Sequence, residues 1–115
     1  MDLIQSMNLA RFMAEMLANF SLSLAVLKSV DFADPVQLTP KRVMHFRMLF
    51  EFVFNMEDSL VWNVFTRIAS LPELEILRSG ILFFVKQYVV APNKGFIGKF
   101  KIMKKALDNA AGVLK

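Results

Sequence analysis

Cysteine is absent from the chain, which removes disulfide staples, thiolate zinc sites and cysteine nucleophiles and suits a reducing compartment. Glycine and proline are scarce, four of each in 115 residues, which does not suit a low-complexity chain. Long apolar runs are lacking too. The longest, Ile81-Leu82-Phe83-Phe84-Val85, has five residues, and the rich stretch 43–56 is cut by His45, Arg47, Glu51 and Asn55. A spanning helix needs about 20 apolar residues, so no transmembrane segment is expected. The opening Met1-Asp2-Leu3-Ile4-Gln5-Ser6 carries no basic n-region and no apolar h-region, and secretion is not expected.

What is present is apolar material in short blocks. Hydrophobic residues make up 56% and charged residues 21%, with 12 Phe and 8 Met; a disordered reading fails on that composition. The length fits one domain. A domain of this size hides only about two thirds of its unfolded surface, so such a chain is expected to leave apolar surface for a partner and to belong to a larger helical arrangement. Acidic residues almost vanish at the end. Residues 1–85 carry seven Lys and Arg against nine Asp and Glu, a net −2, whereas residues 86–115 carry seven Lys against Asp108 alone, a net +6.

The prolines fall between stretches of helical periodicity, the pattern of short loops joining helices. The spacing predicts about six helices in three antiparallel hairpins, an all-α fold. The first covers about 8–19, with Leu9, Phe12, Met13, Met16, Leu17 and Phe20 on its apolar side. Ser23 can cap a short second helix carrying Leu24, Leu27 and Val30. Thr39-Pro40 supplies a cap and a first-turn proline for a third helix to about Asn55, with Val43, Phe46, Phe50 and Val53 as its main stripe. A fourth runs over 58–69 with Leu60, Val61, Val64, Phe65 and Ile68 inward. Ser70 and Glu73 form a capping box for a fifth, to about Tyr88. Gly80 inside it implies close approach of a neighbouring helix. A turn at 91–95 precedes a sixth helix over 96–111. Ser23-Leu24 stands 36 residues before Ser59-Leu60, a faint repeat in the range of roughly 36–40 residues that HEAT-like arrays show. The alternative is a closed six-helix globule, and the periodicity is compatible with both.

The residues Asn8-Leu9, Phe12, Leu17, Leu22-Ser23-Leu24, Val26-Leu27-Lys28 and Val30-Asp31-Phe32 resemble the closing part of the MA-three domain of nucleolar scaffold proteins. These are proteins that also carry a middle domain similar to that of translation initiation factor 4G. The likeness continues through Leu38-Thr39-Pro40, Phe46, Phe50, Val64-Phe65, Ile68 and the run from Leu71 to Phe84, spanning about 8–107. The resemblance implies a non-enzymatic helical-repeat scaffold in the nucleolus, acting in small-subunit ribosomal RNA maturation. As partners it implies a ribosome-precursor particle of protein and RNA, and a DEAD-box RNA helicase. The family's middle domain and the beginning of its MA-three domain precede this region and lie outside these 115 residues. Docking of the type-one protein phosphatase, a property of some members, is not expected: Arg42-Val43-Met44-His45-Phe46 has one residue too many between Val and Phe, and a helix would hide the Phe from a sheet edge.

Chemistry-bearing patterns are few. His45 lacks the i+4 His or Cys that a zinc site on a helix would need, and a structural, half-buried role is the expectation. Glu57-Asp58, Glu73 and Glu75 sit at helix starts, where negative charge complements the helix dipole. No phosphate loop, nucleophile elbow or H-E-x-x-H run occurs, so no catalytic residue, cofactor, metal or small-molecule substrate is expected. The main candidate is the last helix. Phe96, Phe100, Met103 and Leu107 share one face while Lys94, Lys101, Lys104 and Lys105 spread over the other, with Lys99 at the border. Such a helix suits phosphate contact without sequence choice, against a bland reading as the solvated side of a terminal repeat. Its rival role is as an amphipathic anchor in a membrane interface. The second candidate is the side of the third helix carrying Met44, Met48 and Phe52, whose flexible thioethers suit adaptable protein contacts and equally suit core packing.

Overall fold

Thr39 adopts extended backbone and its hydroxyl accepts from the Arg42 amide at 3.3 Å, while Pro40 occupies the first helical turn. The local signals thus set the start of the longest internal helix where the sequence places it. The computed structural model describes residues 3–19, 23–28, 32, 34, 36–69 and 71–113, with the side chains of Val26 and of 109–113 left aside. Phe20, Val30 and Ser70, which the sequence assigns to two apolar stripes and a cap, lie outside the described residues, as do Leu22 and Asp31 of the family resemblance.

The fold is all-α. Its helices are α1 (Leu3–Ala18), α2 (Pro40–Phe54), α3 (Asp58–Thr66), α4 (Glu75–Val85) and α5 (Ile97–Val113). The expected second helix is a 3₁₀ turn, Leu24–Leu27, which Ser23 caps by accepting from the Ala25 amide at 3.2 Å. Among the described residues, five α-helices therefore stand where about six were expected. A 3₁₀ turn, Pro72–Leu74, leads into α4. The wide turn Lys86–Val90 follows it, closed by an Ala91 amide donating to the Lys86 carbonyl at 3.1 Å. Asn93 then caps the 3₁₀ turn Lys94–Phe96 that opens α5.

The strongest helix packing joins α1 to α2 and α3 to α5. Contacts advance the same way along α1 and α2: Ser6 meets His45, and Arg11 lies over the Phe52 ring. At the other pair, Lys99 near the start of α5 reaches Asp58 at the start of α3. Ser6–His45 and Lys99–Asp58 span 39 and 41 residues. Equivalent helices of successive hairpins are thus stacked side by side in parallel, as in a helical-repeat array where each unit completes its core on the next.

The core is an aromatic spine. Phe32 packs edge-on against Phe46 and Phe84 at 5.2 and 5.4 Å, Phe84 reaches Tyr88 at 4.9 Å, and Phe50 and Phe54 both meet Phe65. Offset and edge-on ring pairs of this kind add about 0.5–1.5 kcal/mol each beyond area burial. Gly80 does permit a close approach, but to Phe32 of the segment before α2 and not to a helix. A Cβ at Gly80 would lie 3.2 Å from that of Phe32.

One expectation is overturned at α1. Its buried side is Ala10, Ala14 and Leu17, whereas Leu9 and Phe12, expected inside, are exposed at 38% and 57%. The reason is separation: two alanines, fully buried, let the α1 backbone settle close to its neighbours, and the larger side chains turn outward.

Candidate functional site

Lys94, Lys101, Lys104 and Lys105 are all exposed. On α5, Lys101 and Lys105, four residues apart, share one outward stripe with Lys104 beside it, and exposed Lys94 precedes them in the 3₁₀ turn. The Lys104 ammonium sits over the Phe100 ring, 5.8 Å from its centre, a cation–π contact with the ring face. Beneath them Met103 and Leu107 are buried, Phe100 is half-buried, and Phe96 packs on Phe54 at 5.8 Å. The amphipathic division of α5 is therefore as the sequence predicts.

Lys99 differs from the other four. It donates to the Met56 carbonyl and to Asp58 Oδ1, both at 2.6 Å, and its side chain is 25% exposed. It ties the start of α5 to the turn between α2 and α3, so its charge is committed within the fold. Lys86, exposed beside the wide turn that precedes Lys94, is a further cation on this end of the molecule. Its place among the final seven lysines was legible in the charge count.

The Met44, Met48 and Phe52 set divides. Met48 and Phe52 are half-buried and line a shallow groove of about 390 Å³ with Met7, Asn93 and Phe96. Arg11 lies 5.2 Å from the Phe52 ring centre. This groove abuts Lys94 through Asn93 and Phe96, so the two candidate sites meet there. Met44, 49% exposed, lies instead in a larger open groove of about 640 Å³ between the starts of α1 and α2, with Leu3, Leu9 and Phe46. Lys41 and Arg42 border it.

His45 is half-buried, and its Nδ1 lies 2.9 Å from Ser6 Oγ. Burial holds the imidazole below its ordinary value, opposed by hydrogen bonding with Ser6. A serine beside a histidine has the outline of a nucleophile and its base. Among the described residues no carboxylate hydrogen-bonds to the ring, and no group of three or more His, Asp or Glu is placed to hold a metal ion. The pair serves as a polar link between α1 and α2. At the opposite end Arg67 donates to the Leu17 carbonyl at 2.7 Å, and its own desolvation draws it below the usual arginine value.

With this geometry in place, comparison with known proteins gives one informative relative. Mouse (Mus musculus) nucleolar MIF4G domain-containing protein 1 is 34% identical over 85 residues, which cover 72% of this chain and 10% of the relative. The chain thus spans about a tenth of that protein's length. No family model and no solved structure matches. The similarity is to a nucleolar protein of the MIF4G type, at a distance, and agrees with a helical scaffold. Among the described residues no helix is long and apolar enough to cross a membrane.

Proposed function

We propose that this chain is a non-enzymatic helical scaffold module of a nucleolar RNA–protein assembly that processes small-subunit ribosomal RNA. In this reading it corresponds to the closing part of an MA-three domain. The observation that carries the proposal is the similarity to the mouse nucleolar protein across most of the chain, on a fold built of stacked parallel helices. Lys94, Lys101, Lys104 and Lys105 supply contact to RNA phosphate, and Lys99 acts as a structural tie. The Met48–Phe52 groove beside them receives a protein of the same particle, and a DEAD-box RNA helicase is the expected companion.

Anchoring at a membrane interface is the weaker reading. It needs Phe96, Phe100, Met103 and Leu107 to enter lipid, and Met103 and Leu107 are buried in the core. Gentle purification of the tagged protein from its own cells, with sequencing of the RNA and identification of the proteins that accompany it, tests the proposal. Precursor ribosomal RNA and a helicase are the expected company; a preparation free of both sinks the reading. In vitro, four phosphate contacts on single-stranded RNA give a slope of about −3 in log affinity against log salt. Replacing Lys101, Lys104 and Lys105 by Gln, which leaves Lys94 alone, cuts that slope to about −0.7.

A further inference from the structure

Two exposed apolar faces lie on different helices of the stack. The first is the outward side of α1. Leu9 and Phe12 are exposed and half-buried Met16 follows them at helical spacing, and Leu9 also lines the 640 Å³ groove with Leu3 and Met44. Lys41 and Arg42 border that groove at the start of α2, and Glu15 is exposed near the other end of α1. The second face is on α4. Ile76 is 84% exposed and Phe83 57%, seven residues apart, with exposed Ser79 between them. Glu73 and Glu75 are exposed at its start and Lys86 just beyond its end. Arg78, the remaining cation of α4, is turned away, donating to the Ile68 and Leu71 carbonyls.

The faces are complementary in sense as well as in sign. Laid parallel, Glu73 and Glu75 of one meet Lys41 of the other, with Arg42, which also donates to the Gln37 carbonyl, beside it, and Lys86 meets Glu15. On α4 the eleven residues from Glu75 to Lys86 span roughly 17 Å at 1.5 Å per residue; on the other face the Ser6–His45 contact sets the start of α2 level with the start of α1, so Lys41 and Arg42 stand at the end away from Glu15. Parallel side-by-side packing is the arrangement α1 already has with α2. The geometry points to a second copy of this chain as the occupant: α4 of one molecule docks along α1 of the next and extends the helical stack between molecules. The contact is head-to-tail, so it does not close on itself as a two-fold dimer does. A contact of one helix face falls below the roughly 800 Å² per partner of a standard stable interface, so assembly depends on concentration and weakens with salt.

Sedimentation of the full chain over a range of concentrations tests this. The average mass is expected to climb beyond that of a dimer as concentration rises, and to fall on adding salt. Phe12→Glu spoils only the α1 face and Phe83→Glu only the α4 face. Both positions are exposed, so helix content by circular dichroism stays unchanged. Each variant alone is expected to remain monomeric, while an equal mixture forms a dimer and nothing larger, joining the intact α4 of one to the intact α1 of the other. A wild-type chain that is monomeric at its highest soluble concentration overturns the inference. So does association that survives both substitutions, or a mixture that stays monomeric.

Discussion

Helices α1 and α2 pack against each other, yet they use their apolar residues in opposite ways. In α2 the large side chains Phe46, Leu49, Phe50, Val53 and Phe54 are buried, and Met48 and Phe52 on another side are half-covered. In α1 the inward positions are held by Ala10, Ala14 and Leu17, and the bulk of Leu9 and Phe12 faces out. Burial free energy follows apolar area removed from water, so α2 contributes more to holding the fold than α1 does. The backbone of α1 comes close through its alanines and leaves its larger apolar side chains, Leu9 and Phe12, exposed. A helix at the centre of a stack and one at its margin can therefore carry similar amounts of apolar residue and do different work.

The sharpest way to break this comparison is to truncate one aromatic from each helix. Phe50→Ala removes a fully buried ring and is expected to cost about 3–5 kcal/mol, whereas Phe12→Ala is expected to stay within about 0.5 kcal/mol. Urea melts of the two variants decide it; equal losses would mean that α1's outer face is part of the core.

Enlarging the inward side of α1 comes next. Ala14→Leu forces an extra branched side chain into a fully buried position, with an expected loss of about 1–3 kcal/mol. Its thermal midpoint falls, and Ser6 and His45 lose register.

A smaller effect separates the tie from the stripe on α5. Lys99→Met leaves the Met56 carbonyl and Asp58 without their shared donor and is expected to cost about 1 kcal/mol. Lys101→Met, on the exposed stripe, leaves stability nearly unchanged and weakens RNA binding. If the two variants bind RNA equally poorly at equal stability, Lys99 belongs with the stripe after all.

The smallest effect is the dependence on pH. His45 has a folded-state value lowered from 6.5 by burial, so below that pH the unfolded chain takes up more protons than the folded one. Its contribution to stability is present above 6.5 and is lost as pH falls through the depressed value. His45→Gln is expected to flatten that part of the stability curve, and an unchanged slope would mean the imidazole is as well solvated folded as unfolded.

Much of the fold was legible in the residues. Thr39-Pro40 marked the start of α2, the Val61, Val64 and Phe65 spacing marked the inward side of α3, which ends at Thr66 rather than at about 69, and Ser23 capped its turn as expected. Those features are local, set by capping geometry and by period within a dozen residues. The α1 stripe was misread because periodicity weights large apolar residues, and alanine contributes by what it permits another backbone to do. Lys99 was grouped with the other lysines for a similar reason: its carbonyl and carboxylate partners lie 43 and 41 residues away. The α5 stripe was readable because amphipathic helices sort charge from core on their own length.

The residues alone determined an all-helical chain, its main helix starts, a lysine-rich end and a likeness to nucleolar scaffold proteins, since helix signals act over a few turns. Tertiary structure decided which apolar stripe of α1 is covered, which lysine is committed to the fold and how the Met face is split. Each of those depends on the distance between helices about 40 residues apart, and that distance is set by side-chain volume on both partners together.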